Sequence, residues 1–225
     1  MGGPAAFHDH VVFSIFFGAL AKIPSDGMPY PIFAFAALVP WTFFANSVSA
    51  ASASLVGNAA LVTKIYFPRL VVPLAGVIAT FVDFLCGLVV FAGVAMYFGQ
   101  RPSAQLVFLP LFILLTMATA LGVGLWLAAL NVRYRDVRYI VPYVLQFWFF
   151  ATPVAYPSSL VPEPWRLWYA INPMVGVIDG FRAALVSGPA IRPGSLVISA
   201  ITSAIMLAGG VLYFRRIERT LADIV

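Results

Sequence analysis

The stretch LNVRYRDVRYIVP, residues 130–142, sets three arginines and an aspartate between two apolar blocks. Charge is scarce elsewhere: Asp, Glu, Lys and Arg make up 9% of the 225 residues, and hydrophobic residues 62%. With a mean hydropathy of +0.98, that composition lies far outside the soluble globular range. The chain reads as a membrane protein, and its length is better counted in spans of about 20 apolar residues than in domains. The fold class this implies is all-α, a polytopic membrane helix bundle of about six transmembrane helices.

The pI of 9.6 does not point to nucleic acid, because the basic residues are scattered among apolar segments and form no tail or stripe. Cys86 is the single cysteine, so neither a disulfide framework nor a cysteine-based metal site can be built from this chain.

Walking outward from the arginine segment, residues 106–130 precede it as one apolar span, and residues 140–152 begin another that runs into Pro153 and Pro157. Earlier spans are expected at 32–55 and 71–97, and a last one at 196–214. A shorter apolar stretch, 11–21, makes an apparently shortened first crossing. It lacks the positive n-region and cleavage site of a signal peptide. Residues 47–54 are small, which lets a neighbouring helix backbone approach closely. Gly57 and Asn58 stop that helix, and AALVTKIYFPR, residues 59–69, follows as a brief amphipathic segment closed by Pro68.

The loops divide the positive charge unequally. With six crossings, one side receives Lys64, Arg69, Arg133, Arg135, Arg138, Arg215, Arg216 and Arg219, and the other Lys22, Arg101, Arg166, Arg182 and Arg192. The first set is larger and hugs the span ends, so the positive-inside rule makes that side cytoplasmic, with the C-terminus inside. Anchoring alone accounts for such a cluster. Two inside loops, however, share a design: both are short and charged and carry aromatics, Tyr66 and Phe67 in one, Tyr134 and Tyr139 in the other. If residues 132–139 are helical, Arg133 pairs with Asp136 at i,i+3, while Val132 and Tyr139 face the membrane.

About forty apolar residues separate the fifth and sixth crossings, long for a connection without a role. Asn172 followed by Pro173 reads as a helix N-cap with proline at the first position, and Gly188 as a stop. Met174, Val177, Ile178, Phe181 and Leu185 share one face, with Asp179 and Arg182 opposite and spaced to neutralise each other. This predicts a re-entrant or interfacial helix entered from the outside, with Trp165, Trp168 and Tyr169 at headgroup level.

Catalytic patterns are missing. His8 and His10 are the only histidines, which excludes an HExxH helix, and neither lysine lies in GxxxxGK[ST]. Asp83 and Asp179 are placed too differently for a shared-proton pair. Asp83 alone reads as a hydrogen-bond partner facing another helix, with a proton carrier as the alternative. No metal site is expected. Aromatics make up 15% of the chain, with WTFF at 41–44 and FWFF at 147–150; inside a bundle such rings can line a path along which sugar faces slide.

Three segments carry a resemblance: LVGNAALVTKIYFPRLVVPLAGV (55–77), LNVRYRDVRYIVPYVLQFWFFATPVAYP (130–157) and INPMVGVIDGFRAAL (171–185). In this order they resemble the membrane subunit of polysaccharide ABC exporters of the ABC-2 type, which move O-antigen, teichoic acid or capsule chains across the bacterial plasma membrane. The resemblance implies one transmembrane domain over residues 1–225, a homodimer, a separate cytosolic ABC ATPase that holds ATP and magnesium, and a lipid- or carrier-linked polysaccharide as cargo. The chain itself would be a transport subunit, not an enzyme, with no cofactor of its own.

Carried over by position, the resemblance makes Lys64, Tyr66, Phe67 and Arg69 ATPase-coupling contacts, with Arg133, Arg135, Asp136 and Arg138 as a second inside surface. It makes Tyr143, Phe147, Trp148 and Phe150 substrate-channel residues. Trp165, Trp168, Asp179 and Arg182 become parts of an outer gate. Family members usually begin with a basic amphipathic helix; MGGPAAFHDH stands in its place here, and the first crossing is expected to insert poorly. An ABC-2 exporter of a drug or lipid, or a proton-coupled secondary carrier, is the alternative.

Overall fold

The computed structural model describes residues 26–58, 68–100, 103–134, 136–186 and 192–221. The shortened first crossing, most of the 59–69 segment with Lys64, Tyr66 and Phe67, and Arg135 lie outside the described residues. The helices are α1 (Tyr30–Gly57), α2 (Val71–Tyr97), α3 (Leu109–Arg133), α4 (Val137–Phe150), α5 (Glu163–Tyr169), α6 (Pro173–Leu185) and α7 (Pro193–Leu221). A 3-10 turn, Ala104–Phe108, leads into α3.

Among the described residues, four stretches are long and apolar enough to cross a membrane: Tyr30–Gly57, Val71–Tyr97, Ala104–Arg133 and Pro193–Glu218. They coincide with the expected second, third, fourth and last spans. In lipid each backbone N–H and C=O needs an internal partner, which a continuous helix supplies. Central in the bundle is α1, with Ile32, Phe33, Ala36, Ala37, Phe44, Val48 and Ala51 all buried. In contrast, α2 and α7 present long exposed apolar faces, Val82, Val89 and Met96 on one and Val197, Ile201 and Ile205 on the other.

Small residues set how closely these helices approach. The expected small stretch of α1 is where two neighbours close in: a Cβ on Gly76 of α2 would stand 3.3 Å from the Ala50 carbonyl carbon, and one on Gly124 of α3 would overlap the Ala51 methyl. Ser47 and Thr80 join their hydroxyls at 2.7 Å. At the α3–α7 seam the backbones nearly touch, since a Cβ on Gly122 would lie 2.7 Å from Leu207 N. One turn away, the Thr119 hydroxyl donates to Ser203 Oγ at 2.8 Å.

The fifth expected crossing is only partly a helix. At 14 residues, α4 rises about 21 Å, short of the roughly 30 Å hydrocarbon core. Its last turn stops beside the middle of α1, where Trp148 meets Phe44 and Phe149 meets Trp41 edge to face. Beyond it the chain turns through residues 151–157, with Pro153 and Pro157 unable to continue a helix. The segment α5 then leads inward to Asn172 and α6 leads back out, forming the expected re-entrant pair.

Helix ends sort the charges as the loop count required. Arg69, Arg133, Arg138, Arg215 and Arg216 gather where Leu55, Val72, Ala128, Ala129 and Phe214 form a small second core. Near it Arg69 Nη1 donates to the Glu218 carbonyl at 3.0 Å, and the Arg69 backbone N–H to Glu218 Oε1 at 3.3 Å. At the opposite end the Tyr30 hydroxyl donates to the Ala155 carbonyl at 3.1 Å, and Ser159 to Asp26 at 2.9 Å.

Gly122→Ala should destabilise the bundle by about 1–3 kcal/mol, because backbone must move to admit the methyl. Gly93→Ala, with nothing within 4 Å of the new Cβ, should be neutral or slightly stabilising. Thermal unfolding of both variants in detergent checks the contrast.

Candidate functional site

Three groups of residues make up the candidate site: the re-entrant pair, the exposed flank of α4 and the charged end. Asn172 holds the first together. Its Oδ1 accepts from Met174 N–H at 3.1 Å as an N-cap, as the sequence indicated, and also from Trp148 Nε1 at 2.9 Å. Its Nδ2 donates to Thr152 Oγ1 at 2.9 Å and to the Ala151 carbonyl at 3.2 Å. One amide thus starts α6 and closes the open end of α4. Ser199 of α7 completes the junction, receiving Gly176 N–H and donating to the Ala170 carbonyl, both at 3.1 Å.

The sequence reading of α6 as two-faced is corrected. Arg182 is 3% exposed, and Gly176, Gly180, Ala183 and Ala184 are buried with the apolar face, because α1, α3 and α7 surround the helix. Nor do Asp179 and Arg182 form an ion pair; among the described residues the one such pair is Arg166–Glu163 at 3.3 Å. The guanidinium of Arg182 instead donates to the carbonyls of Val154 at 2.7 Å, Tyr156 at 3.4 Å and Phe33 at 3.4 Å, and lies 3.7 Å above the Phe33 ring. The Asp179 carboxylate accepts a hydrogen bond from Ser158 instead.

Beside this pair, Trp165 and Trp168 are exposed on α5, and the Tyr156 and Tyr169 hydroxyls meet at 2.8 Å. On α4, Tyr143, Phe147 and Phe150 fall on one exposed flank, at i, i+4 and i+7. Trp148, expected with them in a channel, points the other way, into Phe44 and Asn172. The adjacent positions Phe147 and Trp148 lie about 100° apart on a helix, so one row of aromatics is divided between an outer flank and the interior.

At the charged end, the expected helix over 132–139 is also corrected. Arg133 ends α3, Tyr134 is extended (φ −129°, ψ 100°), and α4 starts at Val137. Arg133 and Asp136 therefore share no helix and form no ion pair. Arg133 lies 5.5 Å from the Tyr134 ring and Arg138 4.6 Å from that of Tyr139, with Arg138 Nη2 donating to the Tyr139 hydroxyl at 2.7 Å. Asn131, buried beneath them, donates to the Ser52 carbonyl of α1 at 3.0 Å. Asp83, expected to face another helix, is exposed half-way along α2. Among the described residues no three His, Cys, Asp or Glu gather into a metal site.

The family model of the ABC-2 type transporter membrane domain matches residues 3–186. The chain belongs to this family. It is 35% identical over 156 residues to the O-antigen export system permease protein RfbA of Myxococcus xanthus, across 68% of this chain and 60% of that protein. To the O-antigen export system permease protein RfbA of Klebsiella pneumoniae it is 28% identical over 196 residues, across 87% of this chain and 75% of the relative. It is thus a multi-pass permease-family protein whose matched region includes the charged segments, α4 and the re-entrant pair.

Within this ABC-2 protein, sequence reasoning did not single out Tyr156 or Ser199, and it recognised only the capping role of Asn172. A polar residue just after a proline-broken span was the one available signal for the wider role of Asn172. Arg182→Met is expected to lower stability by about 2–4 kcal/mol, since three carbonyls lose a charged donor; Arg182→Lys should recover part of it. Thermal unfolding of the two Arg182 variants in detergent checks that order.

Proposed function

We propose that this protein is the membrane subunit of an ATP-driven exporter that moves a lipid- or carrier-linked polysaccharide across the bacterial plasma membrane. The observation that carries the reading is the match to two O-antigen export permeases over a region that includes the exposed column Tyr143, Phe147 and Phe150. Flat apolar rings contact sugar faces without holding any one unit, as a sliding polymer requires. A single copy leaves that column uncovered; in a homodimer the two columns would face each other across a path. Asp83 supports a second copy as well. A carboxylate exposed to hydrocarbon costs about 2.5–3.5 kcal/mol at a span's centre, a cost avoided where protein or water covers it.

Coupling would act at the charged end, taken here as cytoplasmic. A cytosolic ATPase dimer, carrying ATP and magnesium, would press on the 59–69 segment and the 133–138 break. The short extended link at Tyr134 lets α4 shift relative to α3, in the manner of a hinge. Through Trp148 and Asn172, displacement of α4 reaches the junction of α5 and α6, where Trp165, Trp168, Asp179 and Arg182 would form the outer gate. Export of a drug or lipid by the same mechanism is the second reading, favoured only if polysaccharide fails as cargo.

Lys64→Glu should prevent recovery of the ATPase with the permease while leaving membrane insertion intact. Arg69→Glu should also loosen α7, because Arg69 holds the Glu218 carbonyl. Replacing Phe147 and Phe150 together with alanine should cut surface polysaccharide severalfold without loss of assembled complex. Normal export by that variant, or full ATPase recovery with Lys64→Glu, would refute the assignment.

A further inference from the structure

On the flank of the α3–α7 seam, near the charged end, a cavity of about 620 Å³ opens between Trp126, Gly209, Leu212, Tyr213, Arg215 and Arg216. Its wall is an aromatic shelf: the Trp126 indole lies on the Tyr213 ring with centroids 4.6 Å apart and planes 14° apart. Gly209 makes room for the shelf, since a Cβ there would stand 3.2 Å from the indole Cζ2. Leu212, 68% exposed, gives an apolar side. Arg215 and Arg216 are exposed at the mouth, and neither forms an ion pair among the described residues. Glu218, the acid one turn further, has its Oε1 on the Arg69 backbone N–H instead.

We propose that this cavity binds the phosphate headgroup of an anionic phospholipid, a ligand distinct from the exported cargo. Two guanidinium groups suit phosphate oxygens, which they can grip in pairs. Stacked Trp and Tyr rings with one wet edge fit the headgroup level, and Leu212 continues into the exposed apolar face of α7, where acyl chains would lie. A free inorganic anion would use the arginines but gain nothing from that apolar continuation, so a lipid is the better occupant.

Trp126 is itself the probe. The full-length permease, with its ATPase partner where the complex forms, is placed in vesicles of phosphatidylcholine mixed with phosphatidylglycerol, with either lipid brominated in turn. The Trp126 signal is the difference between wild type and Trp126→Phe. Brominated phosphatidylglycerol is expected to quench it in preference to phosphatidylcholine, by about fivefold for each arginine. Arg215→Gln with Arg216→Gln should abolish the preference, and the paired lysine variant should restore part of it, which separates charge from folding. Equal quenching by the two lipids, or a preference that survives the glutamine pair, would overturn the proposal. Relief of quenching by excess inorganic phosphate at constant ionic strength would identify a free-anion site and overturn it too.

Discussion

A carbonyl without a donor is costly in hydrocarbon, and this bundle opens its backbone at mid-depth. The chain leaves the helix at Phe150 and does not settle into another buried one until Pro173. Two side chains make that opening tolerable. Asn172 donates to the Ala151 carbonyl and the Thr152 hydroxyl, and Arg182 donates to the carbonyls of Val154 and Tyr156. Buried polar side chains on the continuous helices, such as Ser47, Thr119 and Ser203, sit at the seams between them instead.

The same economy shapes the close seams. Apolar helices in lipid gain little from hiding from a solvent as apolar as themselves, so association rests on contact and on hydrogen bonds between helices. Gly122 and Gly124 bring α3 against two neighbours, and Thr119–Ser203 and Ser47–Thr80 close those seams with hydroxyls. These seams tie α1, α2, α3 and α7 into one frame. Against it, α4 follows the extended Tyr134 link and packs through Val141 and Leu145 along its length and through Trp148 and Phe149 at its end.

Much of this was legible in the residues. Apolar runs of sufficient length located the four described crossings, since only a helix satisfies its own backbone in lipid. Arginine and lysine positions sorted the ends, and Asn172 with Pro173 marked the start of α6 through local capping chemistry. Each of these depends on near neighbours in the chain. Misreadings arose where the deciding partner was distant or the segment too short: eight residues of helical spacing at 132–139 cannot disclose an extended Tyr134.

Sequence by itself therefore determined that the chain is a helical membrane protein, where its four described crossings lie, and which end carries the charge, because span length and loop charge are local properties. Tertiary structure decided that Arg182 serves three carbonyls instead of Asp179, that Trp148 turns inward while Phe147 turns outward, and that Asp83 is left uncovered within one subunit. Those outcomes depend on which backbone comes within hydrogen-bond reach of a side chain and which helix occupies its face. Both are set by how small residues let the helices close, and spacing along one strand of sequence carries no record of that.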